Sequence, residues 1–237
     1  MPDMQKEIKI SVRNLVEFIM RSGDLDNTKG GKNETEAMQA GSRIHRKIQK
    51  QMGANYTPEV PLNITIPVNY EDVSFELTVE GRADGIIVND LNDKIYMDGL
   101  SDEHKEDLPG ITVDEIKGIY MDLNLLKEPI SVHRAQAMCY AYMYAVKYNH
   151  DKIGIRLTYC NLETENLKYF EEVFCLKNLS EWFDGLINEY AKWAVWQIKW
   201  ILRRDRQISR LDFPFPYREG QKELVTGVYK TILRKKK

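Results

Sequence analysis

Two acid-bearing apolar segments constrain this chain more than any other feature. Glu80-Gly81-Arg82-Ala83-Asp84-Gly85-Ile86-Ile87 sets carboxylates beside glycines and aliphatic residues. Some thirty residues on, Val113-Asp114-Glu115-Ile116-Lys117 sets two acids and a lysine in a second apolar run. Both segments read as β-strands, neighbours in one sheet. Alternate residues of a strand share a face, so Glu115 and Lys117 project together while Asp114 and Ile116 project the other way. An acid inside a buried strand needs a partner or a metal.

The surrounding pattern predicts a sheet covered by helices. Residues 10–21 are amphipathic, with Ser11 placed to cap a helix and Leu15, Phe18 and Ile19 on one face. A Gly-, Asp- and Asn-rich loop, Gly23 to Asn33, precedes a second helix over Glu34–Met52, and Pro58 and Pro61 mark a linker out of it. Alternation predicts strands at Leu62–Ile66 and Val73–Val79, then an apolar run at Asp84–Val88, a short strand at Lys94–Met97 and a strand at Ile111–Lys117. A helix over His133–Tyr148, strands at Lys152–Cys160 and Leu167–Phe174, and a long helix from Ser180 to about Arg204 follow. Phe213-Pro214-Phe215-Pro216 breaks that helix before a last one over Arg218–Leu233. This order predicts an α/β fold, a central mixed sheet flanked by helices. The expected division is a main domain over 1–205 and a basic linker segment over 206–237.

Composition excludes some classes. Hydrophobic residues at 43% and charged residues at 30% suit a globular protein with a sizeable core. No apolar run reaches the length of a membrane span, and the polar start does not read as a signal peptide. Cys139, Cys160 and Cys175 form no CxxC pair and are odd in number, which points to a reducing compartment, the cytoplasm. The net charge of −2 hides an asymmetry: from Arg203 onward eleven Lys/Arg face four Asp/Glu, so the preceding residues carry −9. That basic end suggests a nucleic-acid contact or a junction to another segment; a solvated helix face with a lysine tail is the plainer alternative. The acidic loop Asp98–Asp107 has no role derivable from its residues.

Two strand-borne acids and a lysine suit metal-assisted hydrolysis of a phosphodiester. The metal needs hard oxygens, and the lysine orients water or offsets phosphate charge. Of three acid-x-Lys triplets, Glu7-x-Lys9, Glu103-x-Lys105 and Glu115-x-Lys117, only the third has apolar neighbours of strand type. A salt bridge explains that pair equally well. Gly81 and Gly85 leave room for a ligand beside Asp84, though an Asp next to Gly also suits a turn. Gly41 and His45, four apart on the second helix, put the histidine over a small residue; a structural histidine is the alternative. Gln136 and Tyr140, also four apart, follow the Glu-x-Lys strand; a buried helix face would account for them as well.

Gly-x-x-x-His, Gly-Arg-x-Asp, Asp-Glu-x-Lys and Gln-x-x-x-Tyr, in this order over about residues 11–175, resemble the RecB-type branch of the PD-(D/E)xK (restriction-endonuclease-like) nuclease superfamily. The resemblance implies Asp84 and Glu115 as carboxylate ligands of Mg²⁺ or Mn²⁺, joined by the backbone carbonyl of Ile116 and by His45. It implies that Lys117 positions water and stabilises the pentacovalent phosphate, and that Gln136 and Tyr140 orient Lys117 and touch the DNA backbone. Arg82 becomes a phosphate contact and Glu80 a spare acid near the metal. Some members of this branch hold a [4Fe–4S] cluster on four cysteines. Three cysteines, none before His45, do not suffice, so no iron–sulfur cluster is expected. The Trp193, Trp196 and Trp200 face of the long helix is the expected filler of that space.

Phe213-Pro214-Phe215-Pro216-Tyr217-Arg218-Glu219-Gly220-Gln221 is similar to the segment that opens the motor of XPD/DinG-type superfamily 2 helicases. There the Arg and Gln lie near the adenine, positions matched here by Arg218 and Gln221. No phosphate-binding loop follows, so ATP hydrolysis is not expected. The expected function is a metal-dependent deoxyribonuclease acting on single-stranded or end-containing DNA, with a helicase motor as partner in cis or in trans and no membrane. The alternative is a catalytically silent DNA-binding scaffold that guides a strand to a helicase. A restriction-type enzyme ranks below both, for want of a recognition domain.

Overall fold

A computed structural model describes residues 7–20, 34–89, 109–208 and 215–234. Its elements, in chain order, are β1 (Glu7–Ser11), α1 (Val12–Met20), α2 (Glu34–Gln51), β2 (Tyr56–Tyr70), β3 (Val73–Val88), β4 (Ile111–Ile119), α3 (Ser131–Tyr148), β5 (Lys152–Asn161), β6 (Leu167–Cys175), α4 (Leu176–Ile208) and α5 (Gln221–Leu233). The architecture is α/β, a mixed central sheet flanked by helices.

β3 organises the sheet. The antiparallel strand β2 covers one edge of it from Val73 to Ile87. The other edge is shared: β1 pairs in parallel with Glu76–Glu80, and β4 pairs antiparallel with Gly85–Val88. Among the described residues, 81–84 therefore face a gap between two strands. The sheet continues through β5, parallel to β4, to β6, antiparallel to β5. Parallel neighbours need a crossover, and α3 supplies it.

Helices cover both faces. Ile44 and Ile48 of α2 pack with Ile116 and Cys160, on the face to which Ile116 points. α3 buries Ala135, Ala137, Met138, Cys139, Ala141, Met143 and Ala145. Its Cys139 and Tyr140 feel the charge of Glu115, whose side chain leaves β4 on the opposite face. Full burial of Leu179 and Phe183 anchors α4.

Several expectations need correction. Pro58 and Pro61 lie inside β2, not in a linker; among the described residues β2 pairs with β3 alone, and an edge strand tolerates missing N–H donors. β1 was not foreseen, whereas the Ser11 cap is observed: its Oγ accepts from Asn14 N at 3.1 Å. α4 starts at Leu176, not Ser180, with Leu176 N donating to Asp151 O at 2.7 Å as β6 runs straight into it. The tryptophans are not core filler either: Trp193, Trp196 and Trp200 are all exposed. The expected strand at Lys94–Met97, the loop Asp98–Asp107 and residues Phe213 and Pro214 lie outside the described residues.

The chain forms two compact units, Met1–Val195 and Trp196–Lys237. The first holds the sheet. In the second, α5 buries none of its side chains. Among the described residues no helix is long and apolar enough to cross a membrane.

Candidate active site

Asp84 sits where β3 and β4 part. Its Oδ2 accepts a hydrogen bond from Ile116 N at 2.7 Å, so a side-chain carboxylate takes the place of a strand carbonyl just as the ladder ends. Asp84 is thus in a strand and not in a turn. Opposite it, the β2–β3 pairing skips Glu59, which has φ 56. A non-glycine residue in that region costs about 1 kcal/mol or more, strain the sheet holds beside the site.

α2 approaches the same point with two side chains one turn apart. His45 Nδ1 lies 3.4 Å from Asp84 Oδ1, and Gln49 Nε2 donates to Asp84 O at 2.9 Å and to Glu59 Oε1 at 3.1 Å. Burial pulls the His45 pKa down, but the hydrogen bond and charge of Asp84 outweigh it, and the net shift is upward. Among the described contacts of Gly41, an added Cβ would meet nothing within 4 Å.

Glu115 and Lys117 share a face, as alternation requires, with Lys117 Nζ 2.7 Å from Glu115 Oε1. Glu115 Oε2 is buried and, among the described residues, accepts no hydrogen bond. Burial lifts the Glu115 pKa from 4.5 to about 7 against the opposing pull of Lys117, and the charge of Asp84 adds to the rise. The charges of Asp84 and Lys117 act on the ionisation of both His45 and Glu115, and those two act on each other. The orphaned oxygen of a buried carboxylate, two further hard or borderline donors beside it and a backbone carbonyl at Ile116 fit a divalent cation. Among the described residues, however, no three His, Cys, Asp or Glu side chains form a ready-made cage. A Mg²⁺-type site tolerates this, because it is held by one or two carboxylates with substrate and water completing the shell.

The neighbouring acid has a different role. Asp114 points away from Glu115 and is completely buried. Arg156 grips it through Nε at 3.0 Å and Nη2 at 2.9 Å, Thr158 Oγ1 donates at 2.6 Å and Tyr56 OH at 3.2 Å. This is a satisfied structural ion pair that fixes β4.

The space at Gly81 and Gly85 is filled by the protein's own tyrosines, not left for a ligand. A Cβ at Gly81 would stand 2.7 Å from Tyr140 Oη, and one at Gly85 would collide with the Tyr56 ring and its hydroxyl. Tyr140 is buried, hydrogen-bonded to the Arg82 backbone, and its pKa is pushed up by burial and then by Glu115. Gln136 is buried one turn before it. Arg82 is exposed, with Nη1 on Glu59 Oε2 at 3.2 Å; Glu80 is exposed on β3. Behind Lys117, His133 Nδ1 lies 3.1 Å from Tyr159 OH, and burial, then Lys117, lowers its pKa to about 4.

Sequence reading missed Gln49, Glu59, Tyr56, the Asp114–Arg156 pair and His133. Gln49 had a signal, its four-residue spacing from His45. The others depend on cross-strand neighbours no local pattern encodes.

No protein-family model matches the chain, and no curated protein matches it. Among solved structures, a chain titled "Crystal structure of SSO0001" is similar over 76% of this chain and 75% of its own, at 16% identity and a TM-score of 0.37.

Proposed function

We propose that this chain is a PD-(D/E)xK-type, RecB-like nuclease domain that hydrolyses phosphodiester bonds of single-stranded or end-containing DNA with Mg²⁺ or Mn²⁺. One observation carries the reading: Asp84 and His45 meet beside the strand gap, 3.4 Å apart and within electrostatic reach of Glu115, whose Oε2 is buried and, among the described residues, unbonded. A bound divalent cation supplies positive charge against the phosphate and acidity to a water molecule. Asp84 and Glu115 would present oxygens to it, His45 a nitrogen and Ile116 a carbonyl. Lys117, held by Glu115, offsets the charge that grows on the phosphate. Tyr140 fixes the β3 backbone at Arg82 and so positions the strand that bears Asp84, and Gln136 is buried one turn before it on α3. Arg82, exposed and tethered to Glu59, exchanges that carboxylate for a phosphate.

The test is cleavage of single-stranded DNA by the wild type with Mn²⁺, abolished by EDTA and reduced about 10²–10³-fold in Lys117→Met. Equal cleavage by Lys117→Met contradicts the reading. The second reading, a silent scaffold, is favoured by the pairwise charge compensation of Glu115 with Lys117 and Asp84 with His45 and by the absence of a ready-made cage among the described residues. It requires that Mn²⁺ leave the melting temperature unchanged; at a hundred times Kd a bound ion adds about 2.7 kcal/mol.

A further inference from the structure

The C-terminal part of α4 carries a ladder of planar groups. Trp196, Trp200 and Arg204 recur every fourth residue, the spacing that stacks side chains along one helix stripe. Trp196 is 52% and Trp200 47% exposed. Their rings are nearly parallel, 12° apart in tilt with centroids 6.3 Å apart, and the Arg204 guanidinium lies 5.0 Å from the centre of the Trp200 ring. The ladder stands in a basic stretch: from Trp196 to Ile208 there are four Lys/Arg (Lys199, Arg203, Arg204 and Arg206) and one acid, Asp205.

Half-exposed indoles in series are unfavourable in water, and large apolar groups left on a surface mark a binding face. Here the apolar faces are flat, aligned and bordered by cations. An acidic protein partner would suit the net positive charge, and an apolar one the exposed rings, but a nucleic-acid strand with unpaired bases suits both along one line. Each base has a π-face to stack and each link a phosphate to neutralise, while a duplex hides its base faces.

We propose that Trp196, Trp200 and Arg204 form a stacking platform for the unpaired bases of single-stranded DNA, with Lys199 and Arg203 meeting its phosphates. The proposal rests on the nuclease reading only for the expectation that DNA is the ligand.

Its test is a fluorescence titration of the full chain, in EDTA, with a thymidine oligonucleotide about a dozen nucleotides long and with a duplex of similar length. The single strand quenches tryptophan emission in the wild type. Trp196→Ala and Trp200→Ala each weaken single-strand binding about fivefold or more and leave duplex binding unchanged. Trp200→Phe, which keeps an aromatic face, retains most of the affinity, which separates lost stacking from a damaged fold. Unchanged single-strand affinity in both alanine variants overturns the platform, as does equal weakening for single strand and duplex. A wild-type dimer that dissociates in Trp200→Ala also overturns it, because the face then joins two copies. Binding with quenching but no Mn²⁺-dependent cleavage refutes the nuclease reading and leaves the platform standing. Cleavage with unaltered binding by Trp200→Ala does the reverse.

Discussion

At the scale of single residues, two adjacent acids on β4 receive opposite treatment. Asp114 is buried with its charge fully answered by Arg156, Thr158 and Tyr56. Removing one partner of such a pair leaves the other charge stranded, so Asp114→Ala should cost about 3–5 kcal/mol in urea unfolding; a loss below about 1 kcal/mol would mean the pair behaves like a surface one. Glu115 is buried with one oxygen unanswered and a pKa of about 7. The folded chain therefore keeps a proton on Glu115 that the unfolded chain has already released, between pH 4.5 and about 7. In that window this group's contribution to stability falls as pH rises. The fall should vanish in Glu115→Gln, which thermal melts from pH 5 to 8 without metal would register. Mn²⁺ competes with that proton, so its stabilising effect should grow through pH 7 in the wild type. A metal effect independent of pH would argue against Glu115 as ligand.

Among the secondary-structure elements, the gap between β1 and β4 along β3 is the decisive feature. Strand identity was legible wherever apolar residues alternated, as in Val73–Val79 and Ile111–Lys117, and the face-sharing of Glu115 and Lys117 followed from that alternation alone. Edges were not legible. Pro58 and Pro61 read as a linker because the sequence does not say which strand lies outermost, and β1 is too short and polar to announce itself. Nor does local pattern reveal that Gly81 and Gly85 make room for Tyr140 and Tyr56, which arrive from distant parts of the chain. The β3–α3 contact is testable. Gly81→Ala drives a methyl into Tyr140 and should cost about 1–3 kcal/mol. Adding Tyr140→Ala removes the obstacle, so the double variant should lose less than the sum of the two single losses; strict additivity would mean the ring does not occupy that space.

For the whole molecule, the helical C-terminal unit and the sheet-bearing unit divide the charge unevenly, with the basic excess after Arg203. Charge asymmetry was plain in the composition, but the exposure of Trp196 and Trp200 was not, because helical spacing alone does not tell a buried stripe from a half-exposed one. The residues of the proposed site stand in the sequence as four short motifs in order. That His45 and Gln49 of α2 reach Asp84 beside a strand gap is supplied only by the fold. The central claim is that Asp84 helps hold a metal for phosphodiester hydrolysis, and Asp84→Asn isolates it. The amide oxygen still accepts from Ile116 N, so the fold is kept while the charge is lost. The most direct measurement is degradation of end-labelled single-stranded DNA by the wild type and Asp84→Asn across a Mn²⁺ titration. Metal-dependent cleavage by the wild type and a loss of about 10²-fold or more in the variant are the expected result. Cleavage by Asp84→Asn at the wild-type rate would contradict it.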